Sequence, residues 1–146
     1  MDWLSAEQPL MVAIIEGLYS SPLFNLLDGH IYDKAVVDID NDSYLSVGET
    51  STIEQENSQG MHEQIAVTFH IYHRNTEQPE LTVNQTRELM RYLKYYAQRV
   101  PVLTDYTVER VKSDVMETIT DVDLVTQHGV LRLKYYVRHK LIKEMI

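Results

Sequence analysis

The sequence predicts an α+β fold: a mainly antiparallel mixed sheet, with N-terminal helices and one long central helix packed on it. Three observations support this prediction. Residues 64–72 alternate strictly between two faces, two short helical patterns open the chain, and one long helical pattern separates two pairs of strand patterns. Alternation with a period of two is typical of a strand, and a sheet with an apolar face needs helices to cover it.

The central strand is predicted over residues 61–73. One of its faces is apolar and consists of Ile65, Val67, Phe69 and Ile71. The other face, which includes Ala66 and Tyr72, is only moderately polar. β-branched and aromatic residues suit a pleated surface, so we expect this strand in the middle of the sheet with neighbours on both sides.

Two helical segments open the chain. Ser5 and the residues after it have capping-box spacing, and apolar residues then recur every three or four positions as far as Leu18. This pattern predicts a helix over residues 7–19. Ser21 as N-cap and Pro22 at the first position predict a second, short helix through residue 27, which Gly29 ends.

A strand over residues 44–53 is predicted next, followed by a polar turn over residues 55–60 that returns the chain into the central strand as a long hairpin. Thr82 begins a second capping box and the clearest helix, which Pro101 stops. Its buried stripe is predicted to be Thr86, Leu89, Met90, Leu93, Ala97 and Val100, and its solvated face Arg87, Arg91, Lys94 and Gln98.

The last third of the chain predicts two more strands, over residues 104–115 and 130–139. Residues 121–127 are interpreted as a loop or a short strand, and His128-Gly129 as a turn. Two pairs of adjacent tyrosines, Tyr95-Tyr96 and Tyr135-Tyr136, are expected to place one ring of each pair in the core and the other at its rim.

Length and composition bound the class of protein. A chain of 146 residues has the size of one domain, here residues 1–146, and its 44% hydrophobic and 24% charged residues are typical of a globular protein. It has no apolar run long enough to span a bilayer and no signal-peptide pattern at its start. With no cysteine, disulfides and thiolate metal sites are excluded. We expect an intracellular protein, or part of a particle assembled inside a cell.

Charge is divided unevenly along the chain. Residues 1–80 hold 14 acidic and 2 basic side chains, whereas residues 81–146 hold 8 acidic and 11 basic ones. Two interpretations stay open. The acidic and basic halves form unlike faces that favour head-to-tail association of identical copies, or they are simply solvated loops. Clustered bases of the kind that bind nucleic acid are absent from the sequence.

Motifs for chemistry are weak. Asp38, Asp40, Asp42 and Glu49 match the spacing of a calcium loop, but Ser43 stands where the sharp turn needs glycine and the flanks look extended, so a solvated acidic connection is the preferred interpretation. His70 and His73 fall on opposite faces of one strand and cannot share a metal. Without a nucleophile motif or a phosphate-binding loop, the sequence predicts no enzyme, no cofactor and no metal.

Several segments together resemble the tail completion or tail terminator proteins, which join tail to head in long-tailed bacteriophages. These are LDGHIYD at residues 27–33, DSYLSVGE at 42–49 and EQIAVTFHIY at 63–72, followed by a helix and two late strands. The resemblance runs from about residue 10 to residue 142. One departure is Ser43, where the family usually has proline.

The resemblance implies a structural virion protein of the tail or neck, assembled in the host cytoplasm. It would form a homo-oligomeric ring, in this family a hexamer, that caps the tail tube, ends tube polymerisation and offers a joining surface to the head completion or connector protein. DNA would pass through the lumen without specific binding, and no membrane is involved. Alternatives are a head-side connector or stopper ring, and a small cytosolic module that binds a ligand or a protein.

Within this picture we expect the ring interface to use Arg132, Lys134 and Arg138 of the last strand against the acidic first half of a neighbour. Two acidic segments are expected to face the tube or the lumen, where acids would repel phosphates. They are the loop over residues 38–42 and the hairpin tip, with the candidate residues Asp38, Asp40, Asp42, Ile53, Glu54, Gln55 and Glu56.

Overall fold

A five-stranded mixed sheet with helices on one face forms the fold. The computed structural model describes residues 4–34, 40–58 and 60–140. Its elements are α1 (Glu7–Tyr19), α2 (Pro22–Leu26), β1 (Ile31–Tyr32), β2 (Ser43–Asn57), β3 (Gly60–His73), a 3-10 turn (Pro79–Leu81), α3 (Thr82–Ala97), β4 (Tyr106–Thr120) and β5 (Gln127–His139). The strand order is β1-β2-β3-β5-β4. Only β1 pairs in parallel, with β2. The predicted α+β class is confirmed.

β3 lies in the middle of the sheet, as predicted from its alternation. It pairs antiparallel with β2 on one side and β5 on the other. Its apolar face is completely buried together with apolar residues of α1 and α3. Every second residue of β5 joins the same core, among them Leu131, Leu133 and Tyr135. The core therefore lies between the helices and one face of the sheet.

α1 has the predicted bounds, but its start is held differently from the predicted capping box. Ala6 occupies the N-cap position and has no side chain that could cap the helix. Its backbone N–H instead donates to Glu63 Oε1 at 2.7 Å, and the Ser5 hydroxyl donates to Glu63 Oε2 at 2.6 Å. A carboxylate from the middle strand thus replaces the local cap. In α2, Ser21 and Pro22 take the predicted N-cap and first positions.

α3 begins at Thr82 as predicted, again without a capping box. The 3-10 turn Pro79–Leu81 leads directly into it, and the Thr82 hydroxyl accepts the N–H of Asn75 at 3.0 Å. The predicted buried stripe is confirmed as far as Ala97. Val100 is 53% exposed, because the helix ends at Ala97 and its periodicity does not continue.

The predicted turn at His128-Gly129 is wrong, because β5 already begins at Gln127 and both residues lie in the strand. Gly129 faces α3, where an added Cβ would stand 2.8 Å from Cγ of Met90 and closer still to its sulfur. The glycine therefore permits close packing of helix on sheet. The true turn precedes β5: the Asp123 side chain accepts the N–H groups of Val125 and Thr126 at 2.9 and 2.7 Å.

Candidate functional site

β2 and β3 form a long antiparallel arm that extends further than the sequence predicts. Their pairing continues from Ser43↔His73 to Asn57↔Gly60, with one irregularity between Val47 and Thr50. The strand predicted to end at Ile53 therefore continues through Glu54, Gln55 and Glu56, which were expected in the hairpin tip. All four are exposed. The run of polar residues was predicted to be a turn because such residues are common in turns. Strand pairing, however, uses backbone groups and does not need apolar side chains.

The acidic connection before β2 is only partly described, and Asp38 lies outside the described residues. Asp40 and Asp42 are exposed. The Asp42 carboxylate pairs with Arg74 Nε at 2.9 Å, and the Arg74 N–H donates to the Asp42 carbonyl. These contacts fix the entry of β2 beside the exit of β3. A tube-facing or lumen-facing role for Asp38, Asp40 and Asp42 stays a prediction.

Arg132, Lys134 and Arg138 lie at alternate positions of β5, on the face of the sheet opposite α3. Asp114 of β4 lies between two of them: Arg132 Nη1 is 3.1 Å from Asp114 Oδ2, and Lys134 Nζ is 3.8 Å from Asp114 Oδ1. Arg110 covers the Tyr136 ring nearby, 4.2 Å from its centroid. The structure thus brings two of the predicted cations, Arg132 and Lys134, to one carboxylate of the same chain, which partly neutralises them, whereas Arg138 lies four residues further along β5.

The solvated face of α3 borders a groove that sequence reasoning did not identify. We call it the α3 groove; its cavity of about 680 Å³ is lined by Arg91, Tyr92, Lys94, Tyr95, Tyr96, Gln98 and Met116. Arg99 lies at its end, with its guanidinium 5.0 Å from the ring centroids of both Tyr95 and Tyr96. Tyr95 is 55% exposed and Tyr96 is only partly buried against the core, so the prediction of one core ring is wrong for this pair. It is confirmed for the other pair, in which Tyr135 is fully buried and Tyr136 is half-buried.

A cluster of rings lies across β2, β3 and β5 on the sheet face opposite α3. His70 contacts both His128, with Nδ1 2.8 Å from Nε2, and Glu49, with Nε2 2.8 Å from Oε2. Tyr72 stacks between Tyr44 and His128, at centroid distances of 4.9 and 4.3 Å. The hydrogen bond from His70 lowers the pKa of Glu49. Burial, and then the charge of His70, lowers the pKa of His128.

The described residues contain neither a metal cluster nor a membrane-spanning helix. Within residues 4–34, 40–58 and 60–140, no group of three or more His, Asp or Glu side chains is arranged to hold a metal ion. Of the calcium-loop candidates, Asp42 pairs with Arg74 and Glu49 with His70. In the same part of the chain, no helix combines the length and apolarity needed to cross a bilayer.

The chain is similar to a known phage protein over almost its whole length. Tail completion protein gp17 of Bacillus phage SPP1 is 24% identical to it over 140 residues, which cover 95% of this chain and 99% of that protein. This confirms the resemblance to the tail completion proteins. A comparison with models of protein families finds no match.

Two solved structures share the fold. A chain from the virion of the native gene transfer agent particle superposes with a TM-score of 0.76 at 11% identity, covering 92% of this chain and 98% of that one. The structure of bacteriophage SPP1 gp17 gives a TM-score of 0.53 at 22% identity, covering 95% and 96%. These relatives are components of phage tails and virions. The chain is similar in sequence to a tail completion protein and shares its fold with both of these structures.

Proposed function

We propose that the chain forms a ring on the end of the phage tail tube, ends polymerisation of the tube and presents the surface to which the head completion or connector protein binds. The observation that carries this proposal is the similarity to a tail completion protein, which extends over 95% of the chain and 99% of that protein. An end-to-end match argues that the whole fold has been kept for one task. In this proposal the ring is a hexamer in the neck of the virion.

The shape of the molecule supports a role in assembly. Four of the five described strands are long. One outer edge of the sheet is β4, and the other is β2 beyond the two residues that pair with β1. Such edges offer unpaired backbone groups to another chain. Arg132, Lys134 and Arg138 of β5 are proposed as ring contacts. Arg132 and Lys134 would exchange their ion pairs with Asp114 of the same chain for ion pairs with a neighbour.

Polymerisation of purified tube protein in the presence of this chain tests the proposal. We expect short tubes with a ring at one end in negative-stain images, and labelled protein at that end only. Tubes of unchanged length, or label distributed along their sides, would contradict the capping function. Binding to purified head connectors without any effect on tubes would instead favour the head-side stopper ring.

A further inference from the structure

The α3 groove combines positive charge with exposed aromatic rings. Arg91 and Lys94 line it, Arg99 lies at its end, and more than half of the Tyr95 side chain is exposed. The acidic neighbour on α3 is Glu88, 3.4 Å from Arg91, in an exposed pair of the kind that contributes little. Tyrosine and arginine are the residues that carry most binding energy at protein interfaces. The groove therefore suits an acidic protein segment.

The β2–β3 arm has the complementary composition. Residues 43–73 contain no lysine and no arginine, which is unusual for two strands with so much exposed surface. Glu54 and Glu56 are exposed on one face of β2 near the tip, and Ile53, which precedes them on the opposite face, is 59% exposed. The end of the hairpin thus offers two carboxylates on one face and an apolar side chain on the other.

The two surfaces lie on opposite sides of the molecule. The arm includes β2, which lies at one side of the sheet, whereas the groove includes Met116 of β4, the strand at the other side. A patch that binds a different patch on the next copy repeats from copy to copy, and it forms a ring when the rotation closes. Two unlike patches that do not overlap are compatible with such a repeat.

We propose that the α3 groove binds the tip of the β2–β3 arm from a second copy of this chain, with Arg91 and Lys94 contacting Glu54 and Glu56. This inference rests on the proposed function, because it assigns a contact through which the copies would form the ring. The β5 cations lie on the opposite face of the sheet and are a separate contact.

Charge reversal tests the contact. We expect Arg91→Glu with Lys94→Glu, and separately Glu54→Lys with Glu56→Lys, to raise the concentration needed for self-association about tenfold or more, because like charges then face each other. All four substitutions in one chain should restore association. Lys112→Glu with Arg87→Glu changes the charge equally outside the groove and should have little effect. Reversals that act no more strongly than this control would overturn the proposal.

Cross-linking gives a second readout, which is clean because the chain has no cysteine. Tyr95→Cys and Glu56→Cys in one chain should give a ladder of covalent oligomers on oxidation, both free and on tail tubes. Either substitution alone should give no species above a dimer. If wild-type rings cap tubes but the double variant gives no ladder, this contact is rejected and the proposed ring function stands. Wild-type protein that neither associates nor caps tubes would reject the proposed function as well.

An acidic segment of another virion protein is the competing occupant of the groove. In that case Arg91→Glu with Lys94→Glu would block joining to heads or tubes, while self-association and the cysteine ladder would show no arm contact. That result would also overturn the proposal.

Discussion

The carboxylate of Glu63 accepts the backbone N–H of Ala6 at 2.7 Å and so binds the start of α1 to the middle strand of the sheet. Glu63 is only 2% exposed. Its second oxygen accepts the Ser5 hydroxyl, and His139 Nε2 contacts the first. A negative charge at a helix N-terminus is favourable, and a buried charge is tolerated only when it is paired and hydrogen-bonded. One side chain thus joins α1, β3 and β5.

Glu63→Gln should therefore strongly destabilise the fold, although glutamine has nearly the same shape as glutamate. An amide keeps one acceptor oxygen and turns an NH₂ group toward the donors that Glu63 satisfies, so we expect the free energy of unfolding to fall by about 2–4 kcal/mol. Urea denaturation measures the change. Glu54→Gln, on the cross-strand partner of Glu63, is the matched control and should change stability by no more than about 0.5 kcal/mol. Equal effects would show that the buried contacts contribute nothing.

Substitution by alanine should change the free energy of unfolding in opposite directions at two glycines. In Gly129→Ala the new methyl group overlaps Met90, and we expect a loss of about 1–3 kcal/mol. Gly17 lies in α1 with nothing within 4 Å of an added Cβ, so Gly17→Ala should gain about 0.5–1 kcal/mol. Thermal unfolding of the two variants checks both signs. If Gly129→Ala were neutral, Met90 would have room to move aside.

The helices and the middle strand are predictable because their signals are local. A repeat of three to four residues defines α1 and α3, and alternation defines β3. The capping of α1 was predicted wrongly because its partner is remote: Glu63 accepts the N–H of Ala6 from 57 residues away. Gly129 illustrates the same limit, since only the position of Met90 shows that it serves packing and not a turn.

The candidate surfaces were harder to predict than the fold. The bases of β5 were found from alternation alone, but Asp114, 18 residues away in sequence from Arg132, could not be assigned to them. The α3 groove arises where a helix passes an outer strand, so no single segment encodes it. The adjacent Tyr95 and Tyr96, followed by Arg99, were the one available signal.

Stability should decrease at acidic pH because of the cluster of aromatic side chains that contains His70 and His128. The pKa of His128 is lowered by burial and by His70, so below about pH 6.5 the unfolded chain binds a proton that the folded chain does not. Stability attributable to His128 is therefore lost as pH falls. The lowered pKa of Glu49 acts with the same sign in a lower range, as pH falls past the ordinary value of a glutamate.

His128→Phe keeps an aromatic ring beside Tyr72 and removes the titrating group. We expect its urea midpoint to change less than that of the wild type between pH 7.5 and about pH 5.5. The control is Glu49→Gln. It should leave the change in urea midpoint between these two pH values largely as in the wild type and reduce the change at lower pH. An unaltered pH profile in His128→Phe would assign the acid sensitivity to other groups.

The β5 cations can be tested by reversal and by removal of their internal partner. Arg132→Glu with Arg138→Glu should weaken ring formation and leave the monomer folded, because exposed ion pairs contribute at most about 1 kcal/mol to stability. Asp114→Asn releases Arg132 and Lys134 from their contact within the chain and should strengthen association. Light scattering against concentration measures both. If both variants assemble like the wild type, β5 is not a ring contact.

Ile53 tests whether the arm itself makes contact in the assembled state. Its side chain is 59% exposed, so Ile53→Ser removes little buried apolar surface from the monomer and should change its stability by less than about 1 kcal/mol. If the arm tip is buried by a neighbour, the same change removes an apolar contact and should weaken capping of tail tubes about five- to tenfold. Ile53→Val keeps most of the contact and is the matched control. Serine and valine variants that cap equally well would place Ile53 in solvent in the ring as well as in the monomer, and the arm tip would then have no part in assembly.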